Sequence, residues 1–424
     1  MTHRVPVRCN TCDKGIVFRI GVGGEDIQYF SIACPKCKQK IGLKLILDSN
    51  PIPFGPSLHY GGKIDEYINC IESEESNDFI AINIHAELVY PAKYIHEKVF
   101  IPSTEVMKQM YRHGVEKGII DENKIQSQMR LNSGTNFLSI FDILSGDAKL
   151  SKDWIIIKKS LELQNNGFSD LVEKELKKYS NLNSLPSNGK YLENIVFDFF
   201  YRFISPNKKL YSDIEDEFEK ARKLNNNEFE NLIHYYKTDL KKLHIKNYIE
   251  IFNEYFTNYK DFNRILLNNK ILLHPEEKSE CIICPIDFEK VKMYYGNAYE
   301  FFTTHILTIV CANNILMKRK FNEFETMTFP KYLKDVSKES KSKPVENNAS
   351  FKKFTDILDS NIRNASHHKW FYTDEKNAGR LNYRSGGTGA LKEISYLNYL
   401  YKCNEITMHL AVLFMIEIYL IDYN

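Results

Sequence analysis

Cys9, Cys12, Cys34 and Cys37 form two Cys-x-x-Cys units on either side of a β-prone stretch, Ile16-Val17-Phe18-Arg19-Ile20. Each unit turns two thiols the same way, and two such turns can bring four thiolates into a tetrahedron that suits Zn²⁺. A closed four-sulfur set leaves no position for water, so the expected zinc is structural and not catalytic. So short a segment buries little core, and the metal bonds are expected to supply most of its folding free energy. A lone unit, Cys281-Ile282-Ile283-Cys284, has only His274 nearby and reads as two reduced cysteines without a metal.

A second group of reactive residue types is Arg363-Asn364-Ala365-Ser366-His367-His368, set between two helical stretches. At about 100° per residue Asn364 and His368 share a helix face, and Arg363 reaches the same cleft only through its long side chain. His367, four residues after Arg363, competes with His368 for any role that needs an imidazole. The string also suits a plain helix end carrying a surface Arg and two His, stabilised by the helix dipole.

The string resembles the RxxxxH active-site motif of HEPN ribonucleases, with Arg363, Asn364 and His368 at the motif positions. The resemblance covers about the last 140 residues. It implies metal-independent endonucleolytic cleavage of RNA. His would take the proton of a ribose 2′-hydroxyl, which attacks the adjacent phosphate, while the Arg fork holds the phosphate oxygens as charge grows on them. The implied products are a 2′,3′-cyclic phosphate and a 5′-hydroxyl, and Asn364 takes an orienting role. The family's paired motifs imply a homodimer through the C-terminal helices. Its members' roles imply a toxin or antiphage defence setting, with an inhibitor or trigger protein as a further partner. Some members carry a modifiable Tyr two residues after the His; here that position is Trp370 and Tyr372 is displaced, so that route of control is not expected.

The stretch Arg380-Leu381-Asn382-Tyr383-Arg384-Ser385-Gly386-Gly387-Thr388-Gly389 follows the motif. It reads equally as an RNA-binding loop, with Arg380 and Arg384 on phosphates, or as a flexible connector.

These residues need a scaffold of several parts. The 424 residues exceed a single core, and 43% apolar with 26% charged residues describe a globular chain. Net charge is only +2, so any polyanion site must come from local clustering, as in residues 1–48 with eight Lys/Arg against four acids. The expected fold is multidomain and mainly α. It consists of a zinc ribbon over 1–46, a small β-rich region over 47–125, a helical middle domain over 126–285 and a HEPN-like helical bundle over 286–424. Within the last part, apolar residues from Val291 to Leu316 predict one long helix, with His305 as a packed core residue. A further helix is expected from about Leu391 to Ile421. Residues 337–350, rich in Lys, Ser and Glu, read as a mobile loop. The aromatic stretch Phe197-Asp198-Phe199-Phe200-Tyr201 reads as core.

The start leads into a Cys motif and not into a secretory apolar run, and the sixteen-residue segment Ile406–Ile421 contains His409 and Glu417. Both features suggest a cytoplasmic protein with no membrane partner. The alternative function is a non-catalytic nucleic-acid-binding or adaptor protein with a structural ribbon.

Overall fold

A computed structural model describes residues 2–23, 25–48, 52–54, 57–59, 61–97, 111–121, 150–182, 192–274, 283–367, 370–385 and 389–422. The fold is mainly α with small β sheets near the N-terminus. The N-terminal strands are β1 (Thr2–Cys9), β2 (Gly15–Gly21), β3 (Ile27–Ala33), β4 (Lys40–Leu47), β5 (Ile52–Phe54), β6 (Ser57–His59), β7 (Gly62–Ile68), β8 (Cys70–Glu72) and β9 (Ile80–His85). They form a four-stranded sheet of order β8-β1-β2-β9, a three-stranded sheet β3-β4-β7 and the β5-β6 hairpin. Neighbours run antiparallel except β2 and β9, which are parallel.

Apolar β-prone residues drive these strands: β2 is buried on both faces, while β4 alternates with period two. In β4, Ile41, Leu43, Leu45 and Leu47 are buried while Lys40 and Lys44 are half-buried at the edge of the core. They join Val5, Val7, Ile16, Phe18, Phe30, Ile32, Ile82 and Ile84 in a single apolar cluster. Because β4 pairs with β7 (Leu43 opposite Tyr67), the sheet continues across residue 46, and the Cys-bearing strands and the strands after them share one core.

The longer helices are α1 (Leu150–Asn165), α2 (Ser169–Leu176), α3 (Leu192–Ile204), α4 (Lys209–Leu224), α5 (Asn226–Tyr235), α6 (Lys241–Thr257), α7 (Tyr294–His305), α8 (Leu307–Leu316), α9 (Ser360–His367) and α10 (Tyr396–Asp422). One apolar core runs through all of them and does not divide near residue 285. Phe199 and Phe200 are fully buried there, and Trp154 of α1 packs on both and stacks on Phe256 of α6 at 5.3 Å. α10 is long and apolar enough to cross a membrane, yet 83% of its apolar window is buried inside the protein.

The structure departs from the sequence expectations in three places. The apolar stripe from Val291 to Leu316 is broken at Ile306 into α7 and α8. Residues 391–395 do not begin a helix: β10 (Phe371–Thr373), β11 (Arg380–Arg384) and β12 (Leu391–Ser395) form an antiparallel sheet, and α10 starts at Tyr396. The ladder of five facing pairs from Arg380 opposite Ser395 to Arg384 opposite Leu391 satisfies the backbone that a helix would otherwise need to satisfy. The Lys-rich run over 337–350 forms short 3₁₀ turns rather than a mobile loop. Val345 is fully buried, and the Lys341 ammonium donates to the carbonyls of Tyr332 and Leu333, which anchors the run.

Candidate functional site

The two Cys-x-x-Cys units adopt the same backbone turn. The amide of Asp13 donates to the Cys9 carbonyl at 2.9 Å, and that of Lys38 to the Cys34 carbonyl at 2.9 Å. The amides of Cys9 and Cys34 donate in turn to Lys14 and Gln39 carbonyls. Asp13 and Lys38, each just after the second Cys of its unit, have φ of 55° and 62°. Holding non-glycine residues in that left-handed region costs about 1 kcal/mol each. Cys9 Sγ lies 3.7 Å from Cys37 Sγ, and Cys12 Sγ lies 3.6 Å from Cys34 Sγ. Four sulfurs about 2.3 Å from a tetrahedral zinc would be about 3.8 Å apart. The expected ligands are therefore all brought together, at spacings that fit a structural zinc site. The second knuckle is docked on the C-terminal part of the chain, since Lys38 O accepts from Ala378 N at 3.1 Å and Gln39 Nε2 donates to Glu375 O at 3.3 Å.

α9 carries the Arg363 string. Asp359 caps it, its Oδ1 accepting from the amides of Asn361 (3.1 Å) and Ile362 (3.2 Å), and Tyr295 of α7 accepts the Asp359 amide at 2.9 Å. Ile362 and Ala365 face the core. The remaining face lies along α7. There Arg363 Nε donates to Glu300 Oε1 at 2.7 Å, its Nη2 binds the same oxygen, and its Nη1 donates to Asn364 Oδ1 at 2.8 Å. Glu300 also lies 3.6 Å from the Lys338 ammonium, so two cations share one carboxylate, and Glu339, 3.3 Å from the Ser360 hydroxyl, brings a second carboxylate to the start of α9.

His367, one helical turn after Arg363, packs over Gly296 of α7, and its Nε2 is buried without a hydrogen-bond partner. Arg363 and His367 thus face the same neighbouring helix. His368 lies outside the described residues. Arg380 and Arg384 lie on β11 and point away from its inward residues Leu381 and Tyr383. Arg380 is paired across the sheet with Glu393 at 2.5 Å, so it belongs to a strand and not to a loop. Cys281 is outside the described residues, while Cys284 is buried and donates its amide to Ser31 O at 2.9 Å.

A third group was not anticipated. His244 of α6, His305 of α7 and Glu417 of α10 meet in the helical core, all essentially inaccessible to solvent, with ligand atoms within 4.8 Å of one another. His244 Nδ1 is 2.9 Å and His305 Nδ1 3.5 Å from Glu417 Oε1, and the Tyr236 hydroxyl donates to Glu417 Oε2 at 2.9 Å. Burial pushes the His305 imidazole down to about 4; burial would also raise the Glu417 carboxyl, but the facing histidines, His244 foremost, lower it. The three residues stand 61 and 112 positions apart, so no local spacing marks them. The only sequence cue is a His or Glu inside an otherwise apolar helical stripe.

Comparison with protein-family models, with curated proteins and with solved structures returns no match to this chain.

Proposed function

We propose that the chain is a metal-independent endoribonuclease of HEPN type, whose C-terminal helices form the catalytic bundle. RNA is cleaved through 2′-hydroxyl attack to leave 2′,3′-cyclic phosphate ends. The observation that carries this reading is the arrangement on α9: a half-buried Arg363 with Asn364 beside it and His367 one turn later, at the end of a capped helix. Arg363 and Lys338 supply the positive charge that a scissile phosphate needs, and a histidine at the helix end supplies the base. His368 holds the motif position and His367 the alternative one. The ribbon zinc is structural in this reading, and the working form is a cytoplasmic homodimer in a toxin or antiphage role, restrained by an inhibitor or released by a trigger.

One observation favours a second reading, a nucleic-acid-binding adaptor. All three guanidinium nitrogens of Arg363 already serve Glu300 and Asn364, as they would in a purely structural ion pair. Incubating wild type, Arg363→Ala, His367→Ala and His368→Ala with total RNA without added divalent metal, then identifying fragment ends, separates the two. Cyclic phosphate ends from wild type, lost in Arg363→Ala and in one histidine variant, support the nuclease. RNA retention with intact RNA in every sample supports the adaptor.

A further inference from the structure

The His244, His305 and Glu417 cluster lies inside the helical core, apart from both the cysteine site and α9. Its local backbone is unusual. Between α5 and α6 the chain makes a π turn over Tyr236–Leu240. Residues eight apart in a regular α-helix are about 80° out of phase. The extra residue taken up by a π turn makes that spacing behave as seven, which leaves Tyr236 and His244 about 20° apart and on one side. Both then reach Glu417, Tyr236 at 2.9 Å to one oxygen and His244 at 2.9 Å to the other.

Hydrogen bonding alone does not complete this cluster. Glu417 Oε1 is matched by His244, yet His305 Nδ1, 3.5 Å from the same oxygen, has no hydrogen-bond partner although it is fully buried. The Tyr248 hydroxyl, on a ring 4.2 Å from the His305 ring, is likewise buried and faces the Glu417 carboxylate without a well-formed hydrogen bond. Such orphaned atoms are rare in a packed interior. Nitrogen and oxygen ligands about 2.0 to 2.1 Å from a tetrahedral zinc stand about 3.3 Å apart, close to the 2.9 and 3.5 Å seen here. Asn247 Nδ2 lies 3.4 Å from His305 Nε2; with the carboxamide turned over, its oxygen would accept the Nε2–H and leave the Nδ1 lone pair facing inward.

We propose that His244 Nδ1, His305 Nδ1 and the Glu417 carboxylate bind a divalent transition-metal ion, with Tyr248 Oη filling a fourth position. Two imidazoles with one carboxylate suit zinc or iron rather than calcium or magnesium. The closed surroundings make it a structural clamp that ties α6, α7 and α10 together. It is independent of any ribonuclease activity.

The test is metal analysis of the full-length protein refolded or expressed with Zn²⁺ as the only transition metal, combined with X-ray absorption at the zinc edge. About two zinc ions per chain are expected, with an averaged shell of sulfur at about 2.3 Å and nitrogen or oxygen at about 2.0 Å. His305→Gln should lose one equivalent, keep the sulfur-only zinc and melt at a lower temperature. One zinc per chain with a sulfur-only shell in the wild type would overturn the proposal, and this holds whether or not the variant folds.

Discussion

A Cβ built on Gly296 would lie 3.1 Å from His367 Nε2 and 3.0 Å from the Ser366 Cβ. The missing side chain is what allows α9 to lie so close to α7. One turn later on α7, Glu300 receives Arg363. A gap and a carboxylate on one helix therefore set the register of the imidazole and guanidinium on the other. Gly296→Ala gains about 1 kcal/mol of helix propensity but meets an overpacking cost of about 1 to 3 kcal/mol. Net destabilisation of about 1 kcal/mol is expected, with a larger loss for Gly296→Val, both measured by urea denaturation. A stabilised Gly296→Ala would show that α9 is not seated this way.

Glu300→Gln separates the two functional readings. The ion pair with Arg363 is about one-third exposed on each side, so its loss should cost no more than about 1 kcal/mol of stability. The freed guanidinium would then be available to phosphate. If Arg363 contacts RNA, the variant should bind RNA more tightly, and its log-log salt dependence should steepen by about one charge. Unchanged affinity and slope would assign Arg363 to structure alone.

The parts of the fold legible from sequence are those governed by local periodicity. Ile16–Ile20, Leu43–Leu47 and Phe79–Ile84 are short β-prone runs that fall in β2, in β4 and, from Ile80, in β9, and paired Cys-x-x-Cys turns place their own thiols. Leu391–Ser395 was misread because its strand character comes from pairing with β11, a partner that a helical window does not contain. The 337–350 run looked solvated because its composition hides a single buried Lys341 tied to two carbonyls. His305 was rightly expected in the core, but its neighbours His244 and Glu417 come from helices distant in sequence, and only tertiary packing brings them together.

Removal of a zinc held by the four cysteines should be felt beyond their own turns. The second knuckle holds Ala378 through the Lys38 carbonyl and Glu375 through the Gln39 side-chain amide, shortly before Arg380 of β11. Cys34→Ser, or a thiol-directed zinc chelator, is expected to raise amide hydrogen exchange in β3, β4 and at residues 375–380. Amides of α3 should stay protected, since their core does not include the cysteines. Exchange that rises uniformly across α3 as well would mean the two cores unfold as one unit.

A last prediction concerns Glu25, beside α1. Burial raises its carboxyl from 4.5 to about 7; the Ser151 hydroxyl, donating at 3.0 Å, opposes this, and the nearby Glu87 charge adds to it. At acid pH both folded and unfolded chains hold the proton, and the group has no effect on stability. As pH rises from 4.5 toward 7 the unfolded chain ionises first, so the folded state binds more protons and stability falls through that window. The full penalty, roughly 3 kcal/mol as an upper limit, is present above the folded value. Glu25→Gln keeps the shape of the neutral acid and removes the charge. It should therefore match wild type at pH 4 and exceed it by about 1 to 3 kcal/mol at pH 8 in denaturant titrations. Equal stability of the two proteins at pH 8 would mean that Glu25 is ionised in the folded state without cost, through water or a cation reaching the carboxylate.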